Sequence, residues 1–170
     1  MIIYLVIILA IFSRFIPHFP NVGVITALAI FSATYLPKKQ AIIIPLAVRF
    51  ISDAIIGFFS WPLMIAVYLS HLSGVVFGLW IKKSNQENRW LKIIFSGLGT
   101  ATIFFLVTNF VFLYPEYPHT INGIMQSYFN GLPFLRGTIL GDVGYTVGLF
   151  AVYELVYSLA TKKKLAMVKA

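Results

Sequence analysis

Long apolar runs separated by short polar connections set the pattern of this chain. Six such runs stand out, at about 2–16, 22–36, 41–59, 62–81, 91–113 and 134–160. Within them the apolar residues follow one another continuously, as in Met1–Phe12 and Trp90–Leu113. They do not alternate with the period of two that a membrane β-strand requires. Each run is therefore predicted to be a helix. A helix needs about 20 residues to cross the hydrocarbon core of a bilayer. The first two runs are shorter and are expected either to be tilted little or to have outer ends that stop inside the membrane, beneath folded loops. Between them, Pro17 and Pro20 block a simple helical continuation.

The longest connection precedes the last run. Tyr114-Pro115-Glu116-Tyr117-Pro118 reads as a rigid turn, and Thr120 as a helix cap. Ile121, Ile124, Met125, Tyr128 and Phe129 then recur at the spacing of one helical face, and Gly131 with Pro133 signals a stop. The pattern predicts a short amphipathic helix over 120–130 at the outer surface, either a cover for the bundle or a lid over a pocket. Two small-residue stripes, Ser70–Gly74–Gly78 and Gly137–Gly141–Gly144–Gly148, mark close helix packing or a docking face for another membrane subunit.

Composition fixes the solvent. Only 11% of the 170 residues are charged and 59% are hydrophobic, whereas soluble domains carry about a quarter charged residues. The chain is expected to be an all-α membrane protein, a single transmembrane domain of six helices in the bacterial inner membrane. Its net charge of +8 does not point to nucleic acid, because ten of the 13 cations fall in three short segments. These are Lys38 and Lys39; Lys82, Lys83, Arg89 and Lys92; and Lys162, Lys163, Lys164 and Lys169. With six spans all three lie on one side, which the positive-inside rule makes cytoplasmic, together with both termini. The first run lacks a basic leader and a small-residue cleavage site, so it is expected to be retained. Without cysteine there is no disulfide, thiolate metal site or thiol nucleophile.

The remaining charges are the unusual ones. Arg14, Arg49, Arg136, Asp53, Asp142 and Glu154 fall in or beside apolar runs, where each costs a few kcal/mol unless it finds a partner, water or a ligand. In the predicted topology Arg14, His18, Asn21, Arg49, Asp53, Asn109, His119, Arg136 and Asp142 all collect toward the outer side. Arg49 with Asp53, and Arg136 with Asp142, are candidate neutralising pairs. Read functionally, the excess of arginine suits a polar or anionic small solute held by forked guanidinium donors, with Phe19, Trp61, Tyr117 and Tyr128 available for stacking. His71, near the midplane, reads as a packing histidine, and Glu154 as a local partner of the nearby lysine run. No protease, hydrolase-elbow or phosphate-loop motif occurs, and no metal or other cofactor is expected.

One resemblance adds to this reading. Arg14-x-x-Pro17-His18-x-Pro20-Asn21, Asp53-x-x-x-Gly57 and Leu132-Pro133-Phe134-x-Arg136-x-x-x-x-Gly141-Asp142 resemble a family of uncharacterised bacterial membrane proteins. In size and topology that family is similar to the substrate-binding S components of energy-coupling-factor vitamin transporters. The resemblance implies a compact six-helix bundle and an outward site beneath the loops after helices one, three and five. It also implies an energy-coupling membrane subunit and ATPases as partners. The first run departs from the pattern, lacking the small-x-x-x-small motif with which S components dock. The expected function is uptake of a small polar solute such as a vitamin or vitamin precursor. The alternatives are a small embedded enzyme and an assembly or scaffold protein.

Overall fold

The computed structural model describes residues 2–13, 16 and 21–169, except for the side chains of Gln86 and 163–169. The described residues are all-helical, with no strand, and form six α-helices. These are α1 (Ile2–Ser13), α2 (Ile25–Tyr35), α3 (Lys38–Ile56), α4 (Trp61–Lys82), α5 (Arg89–Thr108) and α6 (Ile121–Lys169). Three segments, Trp61–Lys82, Arg89–Thr108 and Ile121–Lys162, are long and apolar enough to cross a membrane. Helices α1 and α2 are apolar but shorter.

The bundle is built around α2. Its residues from Ile25 to Thr34 are all buried, as expected of a helix that is apolar all round. It packs most extensively on α4, and also on α3 and α6. Gly74 and Gly78 make that approach possible. A Cβ on Gly74 would lie 2.9 Å from both Ala29 Cβ and the Thr26 carbonyl oxygen. A Cβ on Gly78 would meet the Ile30 carbonyl oxygen and Ala33 Cβ. Thr34 Oγ1 sits between the same helices, within hydrogen-bond distance of the Ile30 oxygen (2.9 Å) and the Gly78 oxygen (3.1 Å). The first small-residue stripe is thus an internal seam. The second one divides: Gly141 abuts Val22 and Gly23, whereas Gly144 and Gly148 face open space.

Aromatic packing closes the basic end of the bundle. Phe31 and Phe150 meet edge to face at 5.4 Å, and the rings of Tyr35 and Tyr153 at 4.3 Å. The Arg89 guanidinium lies over the Tyr35 ring at 5.5 Å, and Arg89 Nε is 3.6 Å from Glu154 Oε1. Glu154 therefore pairs with a cation at the start of α5. Lys82 Nζ donates to the Leu36 carbonyl at 3.4 Å, tying the end of α4 to the end of α2.

The separate amphipathic helix over 120–130 is not seen. Residues 121–130 are the first turns of α6, which runs through Gly131 and Pro133 without a break. Proline removes one backbone hydrogen bond, a loss that membrane helices tolerate where neighbours re-satisfy the freed group. The apolar face expected to cover the bundle turns outward: Ile121 is 77% exposed and Phe129 71%. Gly123, Ser127 and Gly131 are buried instead, and Ser127 Oγ donates to the Asn109 carbonyl at 2.7 Å. Small residues give the close contact, and the large apolar ones are left for the surroundings.

Candidate solute-binding site: two adjoining polar chambers

At 11 residues, α2 extends only about 16 Å. The chain enters α2 through Asn21, whose φ of 59° lies in the left-handed region that asparagine adopts more readily than most residues. Two chambers occupy this end of the bundle. The deep chamber, about 220 Å³, is lined by Asn21, Thr26, Arg49, His71, Thr138 and Asp142, with Val22, Gly23, Ile25 and Phe104. The shallow chamber, about 310 Å³, lies among Leu63, Asn109, Tyr114, Glu116, Tyr117, Asn130 and Phe134. Asn21 and Phe104 stand in the walls of both, so they mark the boundary between them.

The polar groups of the deep chamber come from four helices, α2, α3, α4 and α6, and from the turn before α2. Arg49 and Asp53, one turn apart on α3, form a short ion pair, with Nε 2.7 Å from Oδ2. The Tyr68 hydroxyl donates to the same Oδ2 at 3.0 Å, and the Arg49 guanidinium lies 5.8 Å from the Phe59 ring centre and 6.0 Å from that of Tyr68. Thr26 Oγ1 on α2 is 2.8 Å from His71 Nδ1 on α4, and the Phe104 ring of α5 tilts against the imidazole at 5.3 Å. Asp142, on α6, is only 5% exposed, with Thr26 and Thr100 as its polar side-chain neighbours. Its Oδ2 is buried and accepts no hydrogen bond among the described residues. The first turn of α2 also faces this chamber. A helix N-terminus carries a partial positive charge, roughly half an elementary charge for a whole helix end, which favours an acidic side chain such as Asp142 in the same chamber.

The shallow chamber is held by its own bonds. The Tyr114 hydroxyl donates to the Thr108 carbonyl at 2.6 Å, and Asn130 Nδ2 to the Tyr117 hydroxyl at 3.0 Å. Burial first, then Glu116 and Tyr117, raises the pKa of Tyr114 and keeps its phenol protonated. Asn109 ends α5, its Nδ2 donating to the Phe105 carbonyl at 2.8 Å. A Cβ on Gly131 would strike the Asn109 side chain, so glycine is what lets α6 pass this close.

Several expected site residues fall elsewhere. Arg14 and His18, with the stacking candidate Phe19, lie outside the described residues. Asn21, Arg49 and Asp142 line the deep chamber, Asp53 sits behind it on Arg49, and Asn109 lines the shallow one. His119 is exposed and stacks on Phe112 at 4.4 Å, away from both chambers. Arg136 is also exposed and does not pair with Asp142. Six residues on a helix turn through about 600°, which puts the two side chains on different faces. Of the other stacking candidates, Tyr117 lines the shallow chamber, whereas Trp61 is 70% exposed and Tyr128 lies in an outer apolar groove. His71, Thr26, Thr138 and Phe104 join the site unannounced. A hydroxyl in an apolar helix ordinarily bonds its own preceding turn, as Thr138 also does to Phe134 at 3.1 Å, so its type and spacing gave no signal. Among the described residues, no group of three histidine or carboxylate side chains converges as metal ligands would.

No match to the chain was found among curated proteins or among solved structures. Residues 1–165 match the family described as "Family of unknown function (DUF6580)", and the chain belongs to that family.

Proposed function

We propose that this protein is a membrane-embedded binder of a small polar solute, spanning the inner membrane six times with its chambers facing outward. The basic connections and both termini then lie in the cytoplasm. The observation that carries the reading is the deep chamber itself, a partly open polar space adjoining an aromatic-lined one in an otherwise apolar bundle. Small-molecule sites combine apolar walls with a few convergent polar groups, and polar groups at membrane depth are costly without a use. The exposed apolar surface supports the bilayer as its surroundings. The resemblance to S components supports uptake of a vitamin-sized compound, with capture at the outer face and hand-over to an energy-coupling partner.

Thermal unfolding of the purified protein against a panel of vitamins, vitamin precursors and nucleobases tests the reading. At least one compound should raise the melting temperature of the wild type. A Phe104→Trp protein, whose larger ring takes up space in the wall that both chambers share, should lose that shift while melting normally alone. A wild type indifferent to the whole panel, or a shift retained in Phe104→Trp, counts against this assignment of the site.

A further inference from the structure

We infer that the solute presents a cationic or amidine-like N–H group to Asp142, rather than an anionic group to the arginines. The inference rests on the solute-binding reading above and adds the polarity of the ligand. It follows from charge accounting in the deep chamber. Arg49 is the only described cation in its walls, and that charge is already engaged by Asp53 at 2.7 Å. Of the two other arginines expected to attract an anion, Arg136 is exposed and away from both chambers, and Arg14 lies outside the described residues.

The carboxylates differ in the opposite sense. Asp53 is held by Arg49 and Tyr68, and Glu154 is near Arg89 at 3.6 Å. Asp142 is buried and lines the chamber, yet one of its oxygens receives no hydrogen bond and no described cation pairs with it. A buried acceptor left unsatisfied costs about 1–3 kcal/mol, more when charged. A ligand that donates there recovers this, and a charge-assisted donor does so most strongly. Asn21, Thr26 and Thr138 add uncharged polar groups suited to the rest of a small ring. The about 220 Å³ available corresponds to roughly seven water molecules at ~30 Å³ each, which admits a single ring with a short polar substituent.

Benzamidinium, benzamide and benzoate test this directly, since they share one planar shape and differ in charge. Binding is measured by calorimetry and thermal shift on wild-type protein in lipid nanodiscs, so the main comparison needs no variant. Benzamidinium should bind at least about tenfold more tightly than benzoate, and Asp142→Asn should bring it down to the level of benzamide. Benzoate or benzamide binding as well as benzamidinium overturns the inference but leaves the solute-binding reading in place. An unchanged benzamidinium affinity in folded Asp142→Asn protein does the same. If none of the three binds, the cation inference falls. The solute-binding reading falls with it only if the vitamin and nucleobase panel is also without effect.

Discussion

A Gly78→Val protein should unfold far more readily than the wild type, by about 3 kcal/mol or more, at the upper end of what overpacking costs. The first added carbon would meet backbone on one side, the Ile30 carbonyl, and Ala33 Cβ on the other. Neither is the flexible end of a side chain that can swing away, so α2 and α4 have to separate. That would also break the Thr34 hydroxyl's contact with the Gly78 carbonyl. In a membrane no hydrophobic force compensates for lost helix contact, because lipid tails are as apolar as the side chains. Gly144→Ala is the matched control, since nothing lies within 4 Å of where its added methyl would sit. It should be neutral or slightly stabilising, because alanine favours helix over glycine by up to about 1 kcal/mol. Thermal melts of both proteins in the same detergent separate the two expectations. Equal melting temperatures would show that the α2–α4 seam does not hold the bundle together.

The second large effect is expected at the Arg49–Asp53 pair. Arg49→Met should cost up to about 3 kcal/mol, since truncating one partner of a part-buried ion pair takes away a contact that offsets the burial of the other charge. Here the charge left behind is Asp53, only 3% exposed, with the Tyr68 hydroxyl still donating to it. Adding Asp53→Asn to Arg49→Met removes the buried negative charge as well and should recover part of the loss. Denaturation of the two single variants and the double variant completes a cycle whose coupling reports on the pair. If the double variant is as unstable as the sum of the two single ones, the pair does not act as a unit.

The two pairs of embedded charges show how far the sequence could be read. Arg49 and Asp53 are four residues apart, and that spacing alone puts them on one helical face. Arg136 and Asp142 are six apart, so the same rule argues against their meeting, and the structure separates them. The helical runs were legible from continuous apolarity, but the start of α6 was not. Gly131 and Pro133 are ordinary stop signals in water, whereas here glycine gives close passage beside Asn109 and the helix carries on through the proline. The apolar face over 121–129 was legible as a face. Its direction was not, because in a bilayer the large apolar residues look outward and the small ones inward. The deep chamber depends on contacts between distant segments, such as Thr26 with His71 and Gly141 against Val22 and Gly23. No local pattern encodes those, and a lone histidine in an apolar helix reads as packing until its neighbours are known.

Mass spectrometry of small molecules released on denaturing purified protein tests the solute-binding claim most directly, with folded Asp142→Asn protein as the comparison. A small polar compound carrying an N–H donor group, present at near one equivalent in the wild type and depleted in the variant, is the expected result. Wild-type preparations that release nothing beyond lipid, and that stay unshifted by every solute tried, would contradict the account.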